Sequence, residues 1–247
     1  MKRNQVIALT IISIIGLAAI TIFTVLPQER IYEKRALIFH ANVLLNYGFT
    51  GITRESFVDI NRFNDQLISL GYNTSWFYFD NNNSLAFNFL KILQEESKKS
   101  EQLIILIAAH GIYQDGQYYQ LLEKPYSSNA IMEALDHQTK TFIYAAGCQS
   151  GYFASHYEIP KRWVILSSVF HGIDLGNATI NTEDVTDAEI HWPALEAFTA
   201  AMLSCTSIEA IYSTHSIYLA DYYNGTYFSW DNAPVLWDGD TITDWIL

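Results

Sequence analysis

The chain has 247 residues, enough to bury a sizeable core as one large domain or two small ones. Half of the residues are apolar, which excludes a disordered chain, and the formal net charge of −12 argues against a nucleic-acid partner, since binding phosphate needs a basic face. The acidity reads as a device for solubility.

Met1, Lys2 and Arg3 precede an uncharged run from Val6 to Leu26. A helix of that length crosses about 30 Å of hydrocarbon, and Pro27 ends it. No A-x-A-like cleavage site follows, so the run reads as an uncleaved signal-anchor, with a cleaved signal peptide and secretion as the alternative. Lys2 and Arg3 favour an inside N-terminus against the opposing pull of Arg30, Lys34 and Arg35, placing the rest of the chain outside the cytoplasm. Sequons at Asn73, Asn82, Asn177 and Asn224 fit that side of a membrane. The expected organisation is an anchor over 1–27, a charged linker over 28–35 and an α/β domain over 36–247.

Within the domain, "RALIFHAN" (35–42) predicts a first strand. Phe57, Ile60, Phe63, Leu67 and Leu70 fall at helical spacing within 53–70, and Gly71 supplies a stop. "NTSWFYFD" (73–80) predicts a second strand, "NNN" a turn, and 84–97 a second amphipathic helix. "LIILIAA" (103–109) is a continuous apolar run, the pattern of a strand covered on both faces. Asp115-Gly116 signals a hairpin within 113–122, and Ser127 to Leu135 a short helix. "TFIYAAG" (141–147) and "RWVILSS" (162–168) predict two more buried strands. A polar, acidic loop over 171–191 leads to helices starting near Pro193 and Ser207, and a tail carrying Trp230, Trp237 and Trp245 is expected to pack. This alternation predicts a mostly parallel sheet with helices on both faces.

Sites in such sheets lie beyond the carboxyl ends of the strands. Two strand ends carry reactive side chains: "AAHG" delivers His110 and "AGCQSG" delivers Cys148. On neighbouring strands, they would rise from one rim. An imidazole beside a thiol can lower the thiol's pKa or take its proton, and the thiolate can then attack a carbonyl. Backbone N–H groups at Gly111 and Cys148 would face the oxyanion. A Cys148–Cys205 disulfide would make both cysteines structural; otherwise Cys205 is a small buried apolar residue.

The paired motifs "LIILIAAHG" and "TFIYAAGCQSG" resemble those of the caspase-like (clan CD) cysteine peptidases, which include caspases, metacaspases and legumain-type enzymes. The resemblance covers about residues 36–170, and the C-x-S-G ending is closest to the legumain and metacaspase pattern. It implies a caspase-like three-layer α/β/α sandwich. It also implies His110 as general acid or base, Cys148 as nucleophile and Gly111 as an oxyanion donor. By the same resemblance the substrate pocket would draw on Arg54, Gly147, Ser167, Ser168 and Asp221. Two departures touch pocket and dyad: Ala146-Gly147 stand where many members have an acid before the Cys, and Ala109 where legumain-type enzymes often have a polar residue.

The remaining histidines show no zinc spacing, and no nucleotide-binding glycine motif or G-x-S-x-G elbow occurs, so no metal or other cofactor is expected. The sequence therefore predicts a membrane-anchored cysteine endopeptidase acting on peptides or proteins. A transamidase of the same fold and a non-catalytic binding module are the alternatives.

Overall fold

The computed structural model describes residues 30–41, 57–79, 88–168, 193–205, 207–222 and 234–239. The anchor run, Arg54, the 171–191 loop, Trp230 and Trp245 lie outside them. No helix among the described residues is long and apolar enough to cross a membrane.

Six strands form the main sheet: β1 (Tyr32–Ala41), β2 (Asn73–Phe79), β3 (Ser100–Ala108), β7 (Lys140–Ala146), β8 (Trp163–Ser167) and β9 (Leu236–Asp238). Their spatial order is β2-β1-β3-β7-β8-β9. All neighbours pair in parallel except β9, which runs antiparallel to β8. A second, three-stranded sheet holds β4 (His110–Gln114), β5 (Gln117–Leu121) and β6 (Pro125–Ser127). The helices are α1 (Phe57–Ser69), α2 (Phe89–Lys99), α3 (Ser128–Glu133), α4 (Pro193–Ser204) and α5 (Ile208–Tyr222).

The period-two alternation of the strands splits the core into two clusters, one on each face of the sheet. Leu37, Phe39, Ile105, Ile107, Ile143 and Ile165 pack with Phe89 and Leu93 of α2 and Ile131 of α3. Ile38, Ile104, Leu106, Tyr144 and Leu166 pack with Phe63 of α1, Phe198 of α4 and Ile211 of α5. The expected three layers are present. Gly71, at φ +85°, ends α1 with paired bonds from Tyr72 N to Leu67 O (3.0 Å) and Gly71 N to Ile68 O (3.0 Å).

Three expectations shift. β1 starts at Tyr32, taking in residues 32–35 assigned to the linker, because Tyr32 and Lys34 pair with Ser100 and Gln102 of β3; the last of these residues is Arg35. Its buried guanidinium bonds Glu96 Oε2 (2.8 Å), Asn73 O (3.0 Å), Asn73 Oδ1 (2.8 Å) and Ser75 Oγ (2.9 Å). This "charged linker" residue thus fastens three elements. α2 runs on to Lys99 because Glu96 and Lys99 pair across one turn at 3.1 Å, where the sequence reading ends the helix at 97. β9 was not expected at all; the edge strand uses Trp237 and two neighbours from the aromatic tail.

Burial pushes the Glu96 carboxyl upward, but the hydrogen bonds and charges of Arg35 and Lys99 outweigh it and hold the group below its ordinary value. The pair therefore contributes stability above the unfolded carboxylate pKa and loses it as pH falls through the lower folded value. Glu96→Ala strands Arg35 without its counter-charge. Its expected cost is about 3 kcal/mol, read as a drop in urea midpoint.

Candidate active site

The parallel register places Ala108 opposite Ala146. His110 and Cys148 each lie two residues beyond that pair, at the carboxyl edge of two adjacent central strands. Both are partly exposed. Burial moves the His110 imidazole below its ordinary pKa, so the neutral, proton-accepting form prevails at pH 7. No disulfide joins Cys148 and Cys205, which removes the disulfide alternative. Cys205 is half-buried rather than buried, with Sγ 3.3 Å from Thr214 Oγ1.

After Ala108 the chain turns at Ala109 and enters the hairpin with His110 itself. The predicted Asp115-Gly116 turn is present, both residues having positive φ (52° and 79°). After Ala146 the chain turns through Gly147 and Cys148, and a single 3-10 turn over Ser150–Tyr152 follows. Gln149 takes the left-handed conformation at φ 55°, which costs a non-glycine residue roughly 1 kcal/mol. Its side chain offsets this by accepting a bond from Tyr113 N at 2.8 Å, tying the Cys148 turn to β4. Tyr113 and Tyr152 stack at 3.9 Å between ring centroids, extending the same tie.

The two glycines are required by close approach. A Cβ on Gly111 would collide with the Cys148 carbonyl and the Tyr118 hydroxyl, and one on Gly147 with the Ala109 carbonyl. Gly111, the expected oxyanion donor, therefore lies against Cys148.

The expected pocket residues divide. Ser167 and Ser168 are fully buried and hold the scaffold. Ser168 Oγ accepts from Gly147 N (3.0 Å) and lies 3.1 Å from Ser150 Oγ, while Ser168 N donates to Ala145 O (3.0 Å). Ser167 Oγ accepts from Val235 N (2.7 Å), fixing the segment that leads into β9. Gly147 is buried beneath these contacts. Asp221 falls in the last turn of α5, and its side chain, like Arg54, lies outside the described residues. Among the described residues no group of three or more His, Cys, Asp or Glu could hold a metal ion.

Sequence reasoning missed His40, Gln120 and Gln149. His40 stands level with Ala108 in the β1–β3 register, on the same rim as His110 and Cys148. Burial lowers its pKa to about 3, and its ring lies 5.1 Å from Tyr78 and 6.1 Å from Trp76. It is a neutral core group, and the apolar strand around it was the available signal.

Solved structures similar to this chain include caspases. Caspase-1 from Spodoptera frugiperda superposes with a TM-score of 0.61 at 13% identity, over 85% of this chain and 88% of that one. The structure of pro-sf-caspase-1 gives 0.60 at 12% identity, over 85% and 92%. The Drosophila initiator caspase Dronc gives 0.57 at 10%, over 86% and 82%. The fold is caspase-like. No family model and no curated protein matches the sequence. At these identities the likeness is one of fold.

Two outcomes follow from this geometry. Gly147→Ala is expected to force the Ala109 carbonyl away and lower the thermal midpoint by several degrees, an effect a scanning calorimeter reads directly. His40, at about 3 when folded and near 6.5 when unfolded, takes up its proton only on unfolding between those values. Stability is then full above pH ~6.5 and falls on acidification by up to about 1.4 kcal/mol per unit, with His110 acting in the same direction. His40→Phe should flatten this acid limb in urea titrations, whereas an unchanged slope would assign the acid sensitivity elsewhere.

Proposed function

We propose that the chain is a cysteine-type endopeptidase using a Cys148–His110 dyad, anchored to a membrane by residues 6–26 with its domain outside the cytoplasm. The observation carrying this reading is the register: two chemically complementary side chains stand two residues past one strand pair, at the edge where α/β sheets place their sites. A thiol outside any disulfide and the desolvated imidazole support it.

In this mechanism the neutral His110 takes the Cys148 proton. The thiolate attacks the peptide carbonyl, and the negative oxygen faces the N–H groups of Gly111 and Cys148. The tetrahedral intermediate collapses as His110 returns the proton to the leaving amine, giving a Cys148 thioester. Water, deprotonated by His110, then releases the acid and restores the thiol. Gly147, Ser167 and Ser168 would support the floor of the pocket from behind the Cys148 turn, and the resemblance adds Arg54 and Asp221 as substrate-binding residues. The C-x-S-G ending resembles the legumain and metacaspase pattern, on a caspase-like fold. If an amine enters in place of water, the same thioester yields a transamidase.

A non-catalytic module of the same fold is the second reading, favoured by Ala146-Gly147 in place of an acid before Cys148. A degenerate peptide library separates the two. The wild-type chain should cleave some members, with the rate reduced on the order of a thousandfold or more in Cys148→Ala and in His110→Ala. Added glycinamide appearing on the products would identify transamidation. Cleavage by Cys148→Ala at the wild-type rate, or none by any form, rejects the dyad as a peptidase centre.

A further inference from the structure

Gln120 is a polar side chain beneath His110 and Cys148 that no motif predicts. It sits on β5 and is fully buried. Its amide nitrogen lies 2.9 Å from Ala109 O and 3.4 Å from Ala146 O. Carbonyls only accept, so the amide must turn its NH2 group toward both. The Tyr118 hydroxyl donates to Gln120 Oε1 at 2.9 Å and locks that orientation. The same Tyr118 hydroxyl lies against Gly111, and a Cβ on Gly147 would come within 3.1 Å of the Gln120 nitrogen.

The two bonded carbonyls matter by their place in the chain. Ala109 immediately precedes His110, and Ala146 lies two residues before Cys148. Ala146 O also accepts from Ala109 N at 3.2 Å. Beyond this level the two strands part, one into the hairpin and the other into the 3-10 turn. One side-chain NH2 thus spans the point of departure, and its two protons bind the two chain ends that carry the dyad.

We propose that Gln120, oriented by Tyr118, is a positioning residue that sets the distance between His110 and Cys148. The inference rests on the peptidase reading of that pair. Apolar side chains of similar length could fill the same space, but none could bridge two carbonyls. Small errors in the placement of reacting groups are costly, with 1 Å worth about a hundredfold in rate.

The test measures Cys148 alkylation by iodoacetamide against pH on the full-length chain, site-resolved by mass spectrometry, with thermal midpoints recorded alongside. The wild type should form its thiolate well below pH ~8.5, the ordinary thiol value, and His110→Ala should abolish that advantage. Gln120→Met should move the midpoint upward by about one unit, slowing alkylation at pH 7 about tenfold. Tyr118→Phe, which keeps the ring and deletes only the hydroxyl, should move it in the same direction by less, and carries the test if Gln120→Met does not fold. Ile211→Ala, a core truncation on the opposite face of the sheet, should lower the thermal midpoint and leave the pH profile unmoved. Folded Gln120→Met and Tyr118→Phe chains with the wild-type profile would overturn the role of Gln120 and leave the dyad standing. A wild-type profile at the ordinary thiol value, indifferent to His110→Ala, would overturn both.

Discussion

The parallel pairing of β3 with β7 is the constraint on which the rest of the molecule depends. Both strands are buried on both faces, so their register is fixed twice over. A slip of one residue would send Ile105, Ile107, Ile143 and Ala145 from the α2–α3 layer into the α1–α4–α5 layer, and their neighbours the other way. The two cores therefore hold Ala108 opposite Ala146, and the position of His110 relative to Cys148 follows. The relative placement of two residues 38 positions apart in sequence is set by hydrophobic packing well below the rim.

Above that level the chain changes character. The strands give way to a hairpin and a 3-10 turn, and polar bonds replace apolar packing as the means of control. Gln149 in its left-handed conformation, the Ser150–Ser168–Gly147 bonds and the Gln120 amide each connect the Cys148 turn to a different neighbour. Buried polar networks of this kind are costly when incomplete and specific when satisfied. Such a network suits the rim of a sheet, where a site needs fixed geometry without a filled core. The glycines at 111 and 147 complete it by letting two backbones touch.

The layers were legible in the sequence because they depend on local pattern. Runs such as "LIILIAA" leave one reading for a strand of that length, and the α1 stripe from Phe57 to Leu70 leaves one for a helix. His110 and Cys148 were legible because each ends such a run before small turn residues. What escaped depends on tertiary partners. β9 is three residues long and is stabilised by β8, not by its own propensity. Arg35, at the boundary of linker and first strand, gives no sign of its role because its partners, Glu96 and Asn73, are distant in sequence. The place of Ser167 and Ser168 after a strand is legible, but the bonds of their hydroxyls to the Cys148 turn and the Val235 segment are not, because those partners are distant in sequence. Gln120 gave no signal at all, since one Gln among three in a polar, tyrosine-rich hairpin is ordinary and only the fold reveals the carbonyls it meets.

The most direct test of the central claim, that His110 and Cys148 act as one chemical unit, is an NMR titration of the His110 ring before and after Cys148 is capped as its methyl disulfide. Coupled groups titrate together, so removing the thiolate must move the imidazole. The account predicts that capping shifts the His110 midpoint downward, because the desolvated ring then loses a nearby negative charge that favours its proton. An identical midpoint in the free and capped chains would mean that the two side chains share a rim without sensing each other, and would contradict the dyad.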